Sequence, residues 1–156
     1  MQVRLAVEKD VESLVDLWIE LMDYHAAFSI QFLINKNKRA AIEALLMEML
    51  SKKQTHVYIM ESDEKIVAML IARIDVKPEM FTHPKSGYVA ETVVTKLFRG
   101  KDIGSELVTA AHQWFQSEGV DYVELQVSSG NSSGVAFWKS KGYELQTLRM
   151  IRPVKK

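Results

Sequence analysis

The feature of this sequence that most constrains the fold is an apolar strand followed by a basic, glycine-containing turn and then a helix. The strand is predicted over Tyr88–Thr95, the turn is Phe98–Ser105 and the helix runs over Ile103–Ser117. The first N–H groups of a helix have no partners within it, and the helix dipole favours negative charge there. Gly100 and Gly104 also let backbone approach a ligand closely. The pattern therefore predicts an anion site at the start of this helix.

The turn matches neither of two common phosphate-binding motifs. The sequence here contains no Gly-x-x-x-x-Gly-Lys-Ser/Thr loop and no Gly-x-Gly-x-x-Gly fingerprint. Arg99 and Lys101 add positive charge beside the glycines. The alternative interpretation is an ordinary strand–helix loop with a solvated basic pair.

Hydrophobic periodicity predicts strands and helices along the whole chain. The unit from Tyr88 to Val127 is strand–helix–strand, so its two strands should be parallel with a right-handed crossover. The order βααβββαβαβ predicts an α/β sandwich, with a mixed central β-sheet flanked by helices. The predicted elements are strand Gln2–Val7, helix Val11–Met22, helix Ile42–Met49, strands Val57–Met60, Ile66–Val76 and Tyr88–Thr95, helix Ile103–Ser117, strand Val123–Val127, helix Val135–Lys141 and strand Tyr143–Ile151.

Composition limits the classes of function. A chain of 156 residues, 47% hydrophobic and 26% charged, is expected to form a single globular domain over residues 1–156. Twenty basic and twenty acidic residues cancel, which disfavours a nucleic-acid partner. The chain has no cysteine, and its histidines lack ligand spacing, so no metal site is expected. No apolar run reaches the roughly 18–20 residues of a membrane span and no signal-peptide core opens the chain, so we expect a cytoplasmic protein without a membrane partner.

Two motifs resemble those of the GCN5-related N-acetyltransferase (GNAT) family, and the resemblance covers nearly the whole chain. The first, Arg/Gln-x-x-Gly-x-Gly/Ala, falls on Arg99, Asp102 and Gly104, with Asp102 in place of the middle glycine. The resemblance implies that the protein is an acyltransferase, moving an acetyl group from acetyl-CoA to a primary amine of a small molecule or peptide by direct attack. The second motif, Asn-x-x-Ala/Gly-x-x-Phe-Tyr-x-x-x-Gly-Phe, is read as Asn131, Gly134, Phe137, Trp138, Gly142 and Tyr143.

By this resemblance, acetyl-CoA would be held between two strands that splay apart, with its pyrophosphate on the glycine turn. Asp102 is expected to cap the helix while its charge weakens cofactor binding. Asn131 is also of a residue type that commonly caps the N-terminus of a helix. The residues assigned to the cofactor are Val93, Val94, Thr95, Arg99, Gly100, Lys101, Asp102, Ile103, Gly104, Ser105, Asn131, Phe137 and Trp138.

The resemblance assigns three catalytic roles. The backbone N–H of Val94 would stabilise the developing oxyanion, although Val94 also fits a core strand position. Glu91 is the acidic residue of this strand and the candidate base, with a solvent-facing strand glutamate as the alternative. Trp138 occupies the position of the family's proton-donating tyrosine, so Tyr143 or another tyrosine is the candidate proton donor to the leaving thiolate, with water or unassisted departure as the alternatives.

The segment after the first helix is assigned to the acceptor pocket, with a buried aromatic plug as the alternative. Its candidate residues are Tyr24, His25, Phe28 and Phe32. The competing function is a non-catalytic acyl-CoA-binding or regulatory domain, favoured by Asp102 and Trp138 at two motif positions. A homodimer is left open.

Overall fold

Five strands form one mixed sheet, and neighbours in the sheet are neighbours in the sequence. The computed structural model describes residues 1–155. The strand order is β1-β2-β3-β4-β5, antiparallel except for the parallel β4–β5 pair. The elements are β1 (Val3–Leu5), α1 (Val11–Ala26), α2 (Arg39–Ser51), β2 (Thr55–Ser62), β3 (Lys65–Val76), β4 (Lys85–Val94), α3 (Ile103–Ser117), β5 (Tyr122–Leu125) and α4 (Ser132–Ser140).

This arrangement confirms the predicted α/β sandwich with a mixed sheet, including the parallel pair joined by a helical crossover. The β4–β5 ladder is short, running from Ser86 opposite Tyr122 to Val89 opposite Leu125. Beyond Val89, the rest of β4 has no partner on β5 among the described residues. One side of the C-terminal half of β4 is therefore an open edge.

The two faces of the sheet carry different helices. The apolar stripe of α1, including Leu14 and Val15, packs with α2 against the face that bears Ile59 and Ile71. The other face carries α3, because a Cβ built on Gly87 of β4 would lie 2.8 Å from the ring of Phe115. Glycine is therefore required at position 87 by the close approach of α3.

A bulge in β4 changes the face to which its later side chains point. Ile71 of β3 pairs with Glu91, but the next β3 residue, Ala72, pairs with Val89, so Ala90 is an extra residue. Directly opposed residues share a face of the sheet. Val89 therefore lies with Ala72 on the α3 face, whereas Glu91 lies with Ile71 on the α1–α2 face. Without the bulge both β4 residues would have pointed to the same side.

The predicted last strand, Tyr143–Ile151, is wrong. The described residues after α4, 141–155, include no strand. An alternating sequence marks a segment that can pair, but a strand forms only where a partner satisfies its backbone groups. Other boundaries also move: α1 continues through Tyr24 to Ala26, β5 stops at Leu125, and α4 begins at Ser132.

The chain divides into two compact units. The first, Met1–Gln126, contains the whole five-stranded sheet and helices α1–α3. The second begins at Val127 and contains α4.

Candidate functional site

The turn between β4 and α3 requires two residues in the left-handed region of backbone space. Gly100 has a φ of +74° and Asp102 a φ of +59°. Left-handed geometry costs an L-residue roughly 1–2 kcal/mol and glycine almost nothing. The matching motif has glycine at position 102 and no fixed residue at position 100, so the left-handed geometry accounts for the motif glycine that Asp102 replaces. Asp102 adopts the same backbone geometry, and aspartate is one of the few residues that tolerate it.

The capping role expected for Asp102 is not observed. The residue occupies the N-cap position of α3, but its side chain makes no capping hydrogen bond. A usual N-cap has extended backbone, which aims the side-chain oxygen at the next N–H groups. In the left-handed conformation the carboxylate of Asp102 is exposed instead. It adds negative charge to the turn without a bond to the helix.

The start of α3 offers unused backbone donors. The first helical hydrogen bond runs from the N–H of Glu106 to the carbonyl of Asp102, at 3.1 Å. The N–H groups of Ile103, Gly104 and Ser105 precede it and have no acceptor within the helix. A Cβ built on Gly100 would meet no atom within 4 Å, so the turn is open beside it. The predicted cradle residues thus lie in succession around an open helix N-terminus.

Arg99 connects this turn to β4 and α1. Its Nε donates to the carbonyl of Val94 at 2.9 Å, and its Nη2 lies 3.4 Å from a carboxylate oxygen of Glu20. The guanidinium is also 5.4 Å from the ring centre of Tyr24. The Lys101 ammonium lies 4.9 Å from the ring centre of Phe98. The Arg99 guanidinium therefore already bonds to the end of β4 and to Glu20, which offsets part of its positive charge.

The end of β4 directs one backbone N–H to the open edge. The N–H of Thr95 donates to the carbonyl of Val67 at 2.9 Å. Hydrogen-bonded and non-bonded pairs alternate along an antiparallel ladder, so Val93 also bonds to β3, whereas Val94 does not. The N–H and carbonyl of Val94 therefore point away from β3. Of the three strand residues assigned to the cofactor, only Val94 has an N–H directed to this edge.

Glu91 faces α1 and is not a solvent-facing strand residue. The indole N–H of Trp18, on α1, donates a hydrogen bond to its carboxylate. Burial raises the pKa of Glu91 to about 7, and the bond from Trp18 opposes that rise in part. A carboxyl group with a pKa near the working pH can exchange a proton with a ligand in either direction. Strongly perturbed pKa values of this kind cluster at functional sites.

The aromatic segment at the end of α1 forms a connected group of rings. Tyr24 lies 5.3 Å from Phe28, and His25 lies 4.9 Å from Phe32, both edge to face. Nδ1 of His25 is buried without a hydrogen-bond partner among the described residues. Burial lowers the pKa of His25, so its imidazole is neutral at physiological pH. These contacts fit an aromatic plug. Tyr24 also places this group of rings next to Arg99.

In the second unit, Asn131 is an N-cap, as its residue type predicts. Its side-chain oxygen accepts from the N–H of Gly134 at 3.0 Å and from the hydroxyl of Ser133 at 3.2 Å. The side chain is buried, at 8% exposure. This bonding fixes the start of α4. It also accounts for the small residue at position 134, where a Cβ would lie 2.5 Å from the Asn131 amide nitrogen.

The other second-unit candidates form a row of rings. Trp138 lies 5.0 Å from Phe137 and 5.3 Å from Tyr143, both close to perpendicular. The backbone N–H of Tyr143 donates to the carbonyl of Trp138 at 3.1 Å. Burial raises the pKa of Tyr143 to about 12, so its phenol keeps its proton throughout the physiological range. Trp138 packs as an aromatic neighbour of the candidate acid.

Sequence reasoning missed two features of the site. Trp18 lies on the apolar stripe of the predicted helix Val11–Met22, yet its indole bonds to Glu91. The link from Arg99 to Glu20 joins segments far apart in the chain, and no local pattern marks it. The residue type of Trp18 was the one available signal in the sequence. A tryptophan among aliphatic residues carries an N–H that needs a hydrogen-bond acceptor when it is buried.

Residues 1–155 contain neither a metal-binding cluster nor a membrane-spanning helix. No group of three or more His, Cys, Asp or Glu side chains there could hold a metal ion. None of the helices in that range combines the length and the apolar character needed to cross a membrane.

Comparison with known proteins gives one family and many similar folds. The model of the acetyltransferase (GNAT) family matches residues 18–143. No curated protein matches the sequence significantly. Among solved structures, a tetramutant of the BH1408 protein from Bacillus halodurans has a TM-score of 0.88 at 22% identity, covering 99% of this chain and 100% of that one.

Two aminoglycoside acetyltransferases also share the fold. The N-acetyltransferase AAC(6')-Iy, solved in complex with CoA, has a TM-score of 0.78 at 18% identity, covering 99% of this chain and 94% of its own. AAC(6')-IG from Acinetobacter haemolyticus, solved without ligand, has a TM-score of 0.74 at 18% identity, with coverages of 100% and 99%. At these identities the likeness is one of fold.

Proposed function

Because the chain belongs to the acetyltransferase (GNAT) family and is an acyltransferase, we propose that it transfers an acetyl group from acetyl-CoA to a primary amine. The acceptor is a small molecule or a peptide amine. A small molecule is favoured by the similar structures, several of which are described as aminoglycoside acetyltransferases.

The observation that carries this proposal is the placement of Glu91 on β4. The carboxyl group is buried against Trp18 and has a pKa of about 7. Farther along the same strand, the N–H of Val94 points to the open edge. One strand therefore presents a proton acceptor and a hydrogen-bond donor, the two groups that acyl transfer to an amine requires.

The residues around the β4–α3 turn fit acetyl-CoA. A diphosphate needs several converging donors, and the N–H groups of Ile103, Gly104 and Ser105 supply them at a helix N-terminus. The open space beside Gly100 lets a ligand approach the backbone. The edge of β4 beyond Val89 has free positions for an amide-bearing arm. When bound, acetyl-CoA supplies a thioester carbonyl, which the N–H of Val94 would polarise.

Glu91 would take the proton that the amine loses, directly or through water. An alkylamine with a pKa near 10.4 is almost wholly protonated at pH 7. A carboxylate in a buried site both attracts the ammonium group and accepts its proton. For the leaving thiolate we assign Tyr143, whose phenol is protonated at neutral pH. A thiol of pKa about 8.5 leaves acceptably even without help, so this donor is the less essential of the two.

Acetyl-CoA should stabilise the protein strongly. At 100 times its dissociation constant, a ligand that binds only the folded state adds about 2.7 kcal/mol to the free energy of unfolding. Thermal melting with and without acetyl-CoA measures this shift. Adenosine, which lacks the diphosphate, serves as the control and should shift the melting temperature much less. No shift at millimolar acetyl-CoA would refute the assignment, whereas a shift without CoA release for any amine would favour a non-catalytic acyl-CoA-binding domain.

Asp102→Gly should tighten acetyl-CoA binding several-fold at low salt. A carboxylate about 6 Å from a diphosphate charge costs on the order of 1–3 kcal/mol, and salt screens that cost. Since the Asp102 side chain makes no capping bond and its φ is +59°, glycine should not lower the melting temperature of the apo protein. Calorimetric titration at two salt concentrations measures the affinity. Equal or weaker binding by the glycine variant would show that the aspartate side chain does not repel the cofactor.

A homodimer stays a prediction. Its support is the exposed apolar side chains of the segment after α4, among them Leu148 at 79% and Met150 at 93%. Light scattering across a concentration series tests it, and a constant monomer mass would refute it.

A further inference from the structure

A cleft of about 270 Å³ opens between α1, the loop before α2 and α2 itself. Its walls are almost wholly apolar. Among its lining residues Lys38 alone carries a charge. The apolar lining residues are Trp18, Ile34, Ala41, Ile42 and Leu45.

One lining residue of this cleft, Trp18, contacts the proposed catalytic carboxylate, which does not itself line the cleft. Trp18 lines the cleft, and its indole N–H donates to Glu91. The indole ring of Trp18 therefore lies between a ligand in the cleft and Glu91, the group proposed to take the amine proton. The cleft is placed to hold the body of an acceptor.

The charges near the cleft do not suit a polycation. A polyamine or aminoglycoside needs several unpaired carboxylates, because each ammonium group must be compensated. The three acidic residues of α1 from Asp16 onward are already paired with cations from other segments. These pairs are Asp16 with Arg39 at 2.8 Å, Glu20 with Arg99 at 3.4 Å and Asp23 with Lys36 at 2.7 Å.

Lys38 favours an anionic group on the ligand over a cationic one. No described carboxylate lies within ion-pair distance of its ammonium group, so its charge is available at the cleft. A second cationic group on the ligand would be repelled by Lys38, and a carboxylate would be attracted.

We propose that the acceptor is a monoamine with an apolar body, neutral or carrying one carboxylate, as in an apolar amino acid. This inference rests on the proposed function and names its substrate class. The apolar body lies in the cleft against Leu45, a carboxylate meets Lys38, and the single amine reaches Glu91. The amine nitrogen would form the new amide bond as the thioester carbon–sulfur bond breaks, the amine proton would pass to Glu91, and CoA would leave as its thiolate and become protonated to the thiol.

A panel of three amines tests the class. CoA release is measured with L-phenylalanine, 2-phenylethylamine and spermidine at matched concentrations. We expect kcat/KM for at least one phenyl amine to exceed that for spermidine at least tenfold. A higher kcat/KM for spermidine overturns the proposal, and so does cofactor binding without turnover of either phenyl amine.

Two substitutions test the cleft. Leu45→Gln should raise the KM for the phenyl amines about tenfold while kcat changes little, because it removes apolar contact from the body of the ligand. The matched control is Leu33→Gln, an exposed leucine that does not line the cleft. Lys38→Glu should raise the KM for L-phenylalanine more than that for 2-phenylethylamine. Equal effects of the two leucine substitutions would overturn the cleft assignment.

Direct binding separates this inference from the proposed function. Calorimetric titration of each phenyl amine into the protein without cofactor measures the cleft alone. Binding that Leu45→Gln weakens and Leu33→Gln leaves unchanged supports the cleft, even if acetyl-CoA fails to bind and the acetyl transfer proposal falls. No amine binding by the parent protein, with normal stabilisation by acetyl-CoA, refutes the inference and leaves the proposed function standing.

Discussion

Replacing Glu91 by glutamine should lower turnover by about 10²- to 10⁴-fold near neutral pH. Glutamine keeps an oxygen that can accept the hydrogen bond from Trp18, but it cannot take the proton of the amine. In the parent enzyme the rate should rise with pH through about 7, where the Glu91 carboxyl group loses its proton. This rise of the rate with pH should be absent in the Glu91→Gln variant. The measurement is kcat/KM against pH with the best amine of the panel.

The matched control is Glu124→Gln, which alters an exposed glutamate on the neighbouring strand β5. It should leave both the rate and its pH dependence unchanged. Because the amine itself deprotonates near pH 10, the deficit of the Glu91 variant should shrink toward alkaline pH. A variant with the parent's rate at every pH would remove Glu91 from the mechanism.

The same substitution should stabilise the folded protein at alkaline pH. The pKa of Glu91 is about 7 in the folded state, against 4.5 for an ordinary glutamate. At low pH both folded and unfolded states are protonated and the group costs nothing. As the pH rises above 4.5, the Glu91 carboxyl group ionises more easily in the unfolded state than in the folded state. The free energy of unfolding therefore falls until the pH exceeds the folded-state pKa of about 7. A shift of this size corresponds to about 3 kcal/mol above pH 7.

Urea unfolding at two pH values measures this effect. The gain in unfolding free energy from Glu91→Gln at pH 8 should exceed the gain at pH 5 by about 2 kcal/mol. Glu124→Gln should show no such difference. A gain that is equal at both pH values would mean that Glu91 is not buried as an ionisable group. Together with the kinetic result, this test separates a structural glutamate from a catalytic one.

Patterns within one segment predicted the fold well. The bounds Ile103–Ser117 of α3 agree with the prediction at both ends, because an amphipathic stripe begins directly after a glycine turn. The parallel β4–β5 pair was predicted from the strand–helix–strand order of this unit. The left-handed geometry at Asp102 agrees with a motif that calls for glycine at that position.

Features that depend on two distant segments could not be predicted. The extra residue Ala90 reverses the face of Glu91, and only the pairing with β3 reveals it. The bond from Trp18 follows from that reversal. The same limit explains the missing strand after α4, since alternation at residues 143–151 specifies two faces but supplies no neighbour. The roles of Val94, Tyr143 and the cradle residues in catalysis and binding stay predictions.

The sequential order of the sheet has a consequence for how the chain folds and moves. Strands β1 to β4 are joined by antiparallel pairings, and the hairpins from β2 to β4 close short loops, which costs little entropy. The β4–β5 contact has to wait for the whole of α3, and it joins only four residues on each strand. Low contact order favours early formation of the hairpins, so β5, and β1 with its longer separation from β2, should dock after them during folding. A short pairing of the sheet therefore lies beside the open edge of β4. A long, flexible cosubstrate could enter there through a small local opening, while the hairpins that hold Glu91 stay folded.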